Sequence, residues 1–331
     1  MSALLDNDEA NSLLRRKIMG YIVSQAIFAV TRADVVEHLG DDALPVEVIA
    51  AKAGVDRDAL TRFLRVLVAE GLFTEEPRGT FAVTGLGSLL REETPGSLRH
   101  LATLMDNEAY QAWSAAEHSL RTGEAGFDKV FGKPMFDWHG ERPAEAAAFD
   151  RAQAGLVTLR MLPLHEWDWS GVGSVVDVGG GNGTLVDGLL ARHPRLRGTV
   201  FDQPHVVGPT TTSGRRRAIG GDFFERVPPG GDVYVLAQIL HDWDDADATR
   251  ILRRVAEAMT PGSRLLILEQ VVPDGAEPHP AKLLDLHMLV LLGGRERTET
   301  HWRELLGGAG FEICRVTGSS RSSLIEARVA R

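Results

Sequence analysis

A single cysteine, Cys314, in 331 residues can form no internal disulfide, so a fold held by covalent cross-links is excluded. Basic charge is also short. The 36 Lys and Arg against 46 Asp and Glu leave a formal charge of −10, whose average field repels the phosphates of a nucleic acid. No nucleic-acid partner is expected, and a small-molecule partner suits better. There is no long hydrophobic run. The most apolar stretch of the second half, "LLDLHMLVLLGG", carries Asp285 and His287 and is too short to cross a bilayer as a helix of about 20 residues, so no membrane partner is expected. The start "MSALLDNDEA" has neither the basic flank nor the apolar stretch of a secretion signal, and a cytoplasmic location follows as the expectation. What is present is the composition of a globular protein, 44% hydrophobic and 25% charged, in a chain long enough for two domains.

From Leu13 to Gly40 apolar residues recur at helical spacing. The following "PVEVIAAKAGVDRDALTRFLRVLVAEGLFTEEPRGTFAVTGLGSLL" reads as a short helix, a turn at Gly54, a second helix and a small hairpin around Pro77 to Gly79. That order describes a winged helix. A DNA-reading second helix would bring its first residues to the base edges, but these are Asp56, Arg57 and Asp58, and residues 1 to 90 hold more acidic than basic side chains. A packing and dimerisation module is expected instead, served by the apolar positions of "LLRRKIMGYIVSQAIFAV", and a homodimer with it. Residues 101–165 read as largely helical, broken at "GEAGFDKVFGKPMFDWHGERP", whose aromatics, Phe136 and Trp138 among them, either line a pocket or pin the loop to the core.

From Ser174 strands alternate with helices, which implies parallel βαβ units, and two strand-like runs joined by a polar turn close the chain as an edge hairpin. The expected class is α/β: a Rossmann-like sheet over 166–331, a helical linker over 101–165 that contributes to the acceptor pocket, and a mostly helical winged-helix domain over 1–100. In the short low-complexity loop "TTTSGRRR", the run Arg215 to Arg217 is expected to be solvated.

The chemistry starts at "DVGGGNGTL", residues 177 to 185, a glycine turn directly after a strand. A dinucleotide fold would want G-x-G-x-x-G, and Thr184 stands where its third glycine belongs. G-x-G-x-G (Gly179, Gly181, Gly183) behind Asp177 is the turn that S-adenosylmethionine enzymes use. Asp202 ends the next strand, where a carboxylate can accept from both ribose hydroxyls. Asp222 in "GGDFF" can accept from the adenine amino group, with Phe223 packed on the ring. One strand further, "LAQILHDWDD" brings His241 to the same crevice. Its unperturbed pKa of about 6.5 suits proton removal near neutral pH, and the alternative role as a helix cap is already served by Asp242 or Asp244. Glu269 ends "LLILE" and Glu296 lies in "GGRERTE". Two carboxylates converging on one imidazole would orient it and stabilise its protonated form.

The set "DVGGGNGTL", "FDQPHVV", "GGDFF", "ILHDWDD", "LEQVVP", "LDLHMLVLLGGRERT" and "LLGGAGFE" resembles the S-adenosylmethionine-dependent O-methyltransferases of the plant caffeate, bacterial secondary-metabolite and acetylserotonin type, over nearly the whole chain. The resemblance implies cofactor contacts at Gly179, Gly181, Asp202, Asp222 and Phe223, a general base at His241, and Glu269 with Glu296 steering that base. It also implies an acceptor pocket lined by Met288 and Leu292. Asp242, Phe136 and Trp138 complete the candidate acceptor contacts. Plant members often carry a lysine four residues before the histidine; here it is Ala237, whose carbonyl is left to hold the adenine.

The implied reaction is metal-independent transfer of a methyl group from S-adenosyl-L-methionine to a phenolic hydroxyl of a small aromatic metabolite, leaving S-adenosyl-L-homocysteine. No metal is expected, since these residues do not present a Cys/His/carboxylate cluster of ligand spacing. Three alternatives stand beside it: a nicotinamide-dependent reductase; a same-fold enzyme of other outcome, N- or C-methylation or cofactor-assisted hydroxylation; and a winged-helix regulator that senses a metabolite.

Overall fold

The computed structural model describes residues 7–77, 79–208, 214–318 and 322–330. Arg78 in the expected hairpin turn, the "TTTS" part of the low-complexity loop and the polar turn at 319–321 lie outside these. The chain divides into two compact units, one ending at Asn107 and the other starting at Glu108.

In the first unit, helix Val46–Ala53 stops at Gly54, whose φ of 66° is left-handed and suits glycine. Helix Arg57–Ala69 starts where the Asp56 carboxylate accepts from the Ala59 amide at 2.8 Å. Its Leu60, Leu64 and Leu67, at helical spacing, are buried. Strands Phe73–Glu76 and Thr80–Val83 pair antiparallel as the wing, and Leu44–Pro45 adds a third short strand. The apolar segment Leu13–Val30 is two helices, Asn7–Ile18 and Gly20–Arg32, parted at Met19 just before the poor helix former Gly20. Helix Asn7–Ile18 buries no side chain, and Leu14, Ile18, Met19 and Tyr21 are about half exposed or more, at 59%, 66%, 49% and 58%. An apolar patch of this kind marks an association surface.

The second unit is built on a seven-stranded sheet. In spatial order its strands are Phe311–Gly318, Ser323–Val329, Arg264–Glu269, Val233–Ala237, Ser174–Val178, Arg197–Asp202 and Arg216–Gly220. The closing hairpin is antiparallel and joins Arg264–Glu269 antiparallel, and every other pairing is parallel. The parallel strands are apolar on both faces (Val175, Val176 and Val178; Val233 to Leu236; Leu265 to Leu268) because helices cover both sides. Helix Asp245–Ala258, capped by Asp244 and burying Ala248, Ile251, Leu252 and Val255, packs on one face with helix Glu299–Gly308. Helix Thr184–Arg192 covers the other with Met161, Leu164 and Trp169. Chain order reverses between the neighbouring strands Ser174–Val178 and Val233–Ala237, which opens a crevice at their carboxyl ends.

Candidate active site

Both strands at the reversal run straight into the candidate residues. After Val178 the backbone of Gly179, Gly181 and Gly183 takes φ of 76°, 56° and 85°, accessible at low cost only to glycine. Their reasons differ. A side chain on Gly179 would run into Ile239, and one on Gly183 into Arg216, so these two serve close packing. One on Gly181 would meet nothing within 4 Å, so there the turn faces open space. The Gly181 amide donates to Asp202 Oδ2 at 2.8 Å and the Gln203 amide to Oδ1 at 2.6 Å, which fixes the carboxylate at the rim of the turn. Burial pushes the Asp202 carboxyl up from its ordinary value. Asp177 beneath the turn is fully buried with Oδ2 unpaired among the described residues; burial, then the charge of Asp202, pushes it up to about 7.

The run Arg215 to Arg217 is not simply solvated, as its composition had led us to expect. Arg215 donates to the carbonyls of Leu190, His193 and Leu196 and so closes the end of helix Thr184–Arg192. Arg216 bonds Asp187 and the Asn182 carbonyl, bracing the glycine turn. Arg215 and Arg217 are exposed, as the expectation has it, and Arg216 is half-buried. The exposed Asp222 is set by a bond from the Phe224 amide at 2.8 Å. Beside it Phe223 meets Trp243 edge-on, with ring centroids 6.0 Å apart.

Strand Val233–Ala237 does not carry His241 at its last residue. Gln238 turns left-handed (φ 58°), and a single 3-10 turn, Leu240–Asp242, delivers the imidazole. The turn is anchored on Glu269, which accepts from the Ile239 and Leu240 amides at 3.0 Å each and from Gln238 Nε2 at 3.0 Å. His241 Nδ1 lies 2.6 Å from Glu296 Oε1 and 3.5 Å from Glu269 Oε2, and Nε2 lies 3.3 Å from Asp242 Oδ1. Asp244, not Asp242, caps the following helix.

Burial alone would depress the imidazolium. Glu269, Glu296 and Asp242 outweigh it and push His241 up to about 10, which corrects the ordinary value assumed from sequence. Burial also raises Glu269 to about 7 and Asp242 to about 6. Arg160, at the end of helix Pro143–Arg160, interacts electrostatically with the same three carboxylates.

His241, Glu269 and Glu296 each place a ligand atom within 4.8 Å of the others, so the expectation that no cluster of ligand spacing exists is corrected. The 2.6 Å contact between His241 and Glu296 is nonetheless a hydrogen bond. Two ligands of one tetrahedral ion at about 2.1 Å each would stand roughly 3.4 Å apart.

Of the acceptor candidates, Met288 is buried on helix Pro280–Leu292, and Phe136 stacks on Trp243 with ring centroids 6.4 Å apart. Trp138 and Leu292 pack into an apolar cluster with Phe127 and Val290. Ala237 ends its strand half-buried. Sequence reasoning missed Arg297, which is fully buried: Nη1 donates to the Leu240 carbonyl at 2.7 Å, Nη2 to that of Trp243 at 2.9 Å, and Nε to Asp245 at 2.9 Å. It also missed Trp113 and His287, 174 positions apart, whose ring nitrogens meet at 3.1 Å.

A parallel sheet with this reversal, a G-x-G-x-G turn and strand-end acids defines a Rossmann-like, S-adenosylmethionine-dependent methyltransferase. The chain belongs to the O-methyltransferase family. It matches that family's O-methyltransferase domain over residues 113–312 and its O-methyltransferase dimerisation domain over 16–93. It is 39% identical over 330 residues to a phenazine O-methyltransferase of Lysobacter antibioticus, covering 96% of each chain. It is 40% identical over 326 residues to the O-demethylpuromycin-O-methyltransferase of Streptomyces alboniger, covering 94% of this chain and 87% of that one. Human N-acetylserotonin methyltransferase, solved with S-adenosylmethionine, superposes with a TM-score of 0.90 at 28% identity over the whole of both chains. Among the described residues no helix is long and apolar enough to cross a membrane.

Proposed function

We propose that this O-methyltransferase methylates a phenolic hydroxyl of a small aromatic metabolite without a metal, with His241 taking the hydroxyl proton. The observation that carries this reading is the pairing of one imidazole nitrogen with Glu296 at 2.6 Å while the other faces away from it. When bound, S-adenosylmethionine supplies an activated methyl on a sulfonium. Gly181 leaves room for it, Asp202 and Asp222 would offer acceptors to ribose and adenine, and Phe223 and the Ala237 carbonyl would hold the adenine. The helices of 108–165, with Phe136, Trp138, Met288 and Leu292, wall the acceptor pocket, and Asp242 contacts the acceptor beside Nε2.

Positioning the oxygen behind the methyl carbon is the larger task. The proton is the smaller one: a phenol has a pKa of about 10, close to that of the buried ring, so once one of the two protons they hold has left to solvent the other passes between them at little cost. Glu296 and Glu269 hold the ring and offset the charge it gains. The relatives include an 8-amino-8-demethylriboflavin N,N-dimethyltransferase and a phenazine-1-carboxylate N-methyltransferase. Methylation at nitrogen is therefore the second reading, and product analysis with labelled cofactor separates the two.

Calorimetry should show binding of S-adenosylmethionine and S-adenosylhomocysteine but not NAD(H), and Asp202→Ala should weaken cofactor binding by about 1 to 3 kcal/mol. NAD binding as tight as that of S-adenosylhomocysteine contradicts the cofactor site.

The exposed apolar side chains of Leu14, Ile18, Met19 and Tyr21 support a homodimer built through the first unit. Light scattering is expected to give a dimer at micromolar concentration, and Ile18→Glu with Tyr21→Glu should shift it towards monomer. A monodisperse wild-type monomer contradicts this.

A further inference from the structure

His287 lies one residue before Met288 on helix Pro280–Leu292 and is only 6% exposed. An indole N–H can only donate, so the 3.1 Å contact from Trp113 Nε1 makes His287 Nδ1 the acceptor. The two rings lie nearly parallel, 17° apart, with centroids at 6.1 Å, which holds the imidazole in that orientation. The proton of the neutral ring is therefore confined to Nε2. Burial, and the positive charge of nearby His241, push His287 down to about 4, so the ring is uncharged at neutral pH. Nε2 has no hydrogen-bond partner among the described residues, and it is not one of their sealed, unpaired buried atoms. A neutral donor of fixed tautomer is thus left open near the proposed base, and the reaction drawn above has no use for it.

We propose that His287 selects the acceptor: its Nε2–H donates to a neutral lone-pair atom, a carbonyl oxygen or an aza-aromatic nitrogen, carried by the hydroxyarene that His241 deprotonates. The inference rests on the acceptor site proposed above and adds the class of substrate. Charge favours a neutral group over a carboxylate. The charge of Glu296 already raises the proton affinity of Asp242 and of Glu269, with the charges of His241 and Arg160 against it, and an anionic substituent would add to that repulsion. A site built around a donor also rejects an isostere that leaves the donor unpaired, so the group discriminates as well as binds.

The test uses matched acceptors: hydroxyquinolines against the naphthols, hydroxyacetophenones against ethylphenols, and hydroxybenzoates as the charged arm. Calorimetry on the wild-type complex with S-adenosylhomocysteine should show the neutral lone-pair member of at least one pair bound roughly 10- to 100-fold more tightly than its hydrocarbon partner. His287→Leu should reduce that ratio to within about twofold. His287→Asn, which keeps an acceptor for Trp113 and a donor for the ligand, should retain most of it. Unchanged affinity for S-adenosylhomocysteine in each variant certifies the fold. No preference in the wild type, a preference that survives His287→Leu, or a preference for the hydroxybenzoates each overturns the proposal. Binding is read without turnover, so failure of the selector is distinct from failure of the methylation reading, which would appear as tight, selective binding with no methyl transferred.

Discussion

His241→Gln is expected to bind S-adenosylhomocysteine as the wild type does and to transfer methyl about 100- to 10,000-fold more slowly at pH 7, the usual contribution of a positioned base. Glutamine keeps the polarity and approximate reach of the side chain but cannot hold a proton. Its amide also leaves Glu269 and Glu296 without the cation that now faces them at 3.5 and 2.6 Å. A wild-type rate in this variant at pH 7 would mean that proximity alone accounts for the reaction.

The pH profile carries more information than the rate. The reactive complex holds one proton between the ring and the acceptor oxygen. With the ring at about 10 and a phenol at about 10, both are protonated at pH 7 and one proton must leave first. The wild-type kcat/KM should therefore climb with pH from 7 towards 10, and His241→Gln, which needs the phenolate, should climb in parallel. Its deficit stays nearly constant over that range. A ring of ordinary pKa, about 6.5, would instead give a flat wild-type rate above pH 7.5 and a deficit that narrows with every pH unit. That result would show that the three carboxylates do not hold the proton. Glu296→Gln removes the nearest of them and should move the rising limb to lower pH.

What could be read in advance follows a physical pattern. Gly179, Asp202, Asp222, His241 and Glu269 lie at or just beyond the ends of strands, and α/β crevices form there, so a linear pattern of strands already points at them. Side chains whose purpose is another distant side chain carry no such mark. Arg216 looked like one of three solvated arginines until strand Arg216–Gly220 brought it under the glycine turn. Trp113 and His287 belong to elements with no relation in sequence. The same holds for Gly179 and Gly183. The sequence marks the turn as a cofactor turn, and the crowding of these two positions by Ile239 and Arg216, together with their left-handed backbone, favours glycine there as well. Gln238 shows the converse limit. Nothing in its type announces a left-handed residue, which arises because the backbone must swing to hand two amides to Glu269.

Arg297→Met should be the most destabilising single change near the site, by about 2 to 5 kcal/mol, the cost of withdrawing a charged donor from two carbonyls at about 1 to 3 kcal/mol each. The side chain is fully buried, and its guanidinium spans the turn that carries His241, bonding the carbonyl before it at Leu240 and the one after it at Trp243. Asp245, its anionic partner, is more than half exposed and can be solvated again. The two carbonyls are less well placed, since that of Leu240 keeps only a 3.4 Å bond from the Trp243 amide, and acceptors so weakened supply much of the loss. The effect should reach chemistry too. With Leu240 and Trp243 released, His241 shifts relative to Glu296, and a displacement of about 1 Å costs on the order of 100-fold in rate. Arg297→Lys keeps the charge but has a single nitrogen for three positions, so it should fall between wild type and Arg297→Met in both respects. Thermal and urea melts with S-adenosylhomocysteine absent, together with turnover measured well below the variant's melting temperature, separate the two effects. An Arg297→Met protein that melts with the wild type and turns over at its rate would show that the turn around His241 holds its shape without this guanidinium.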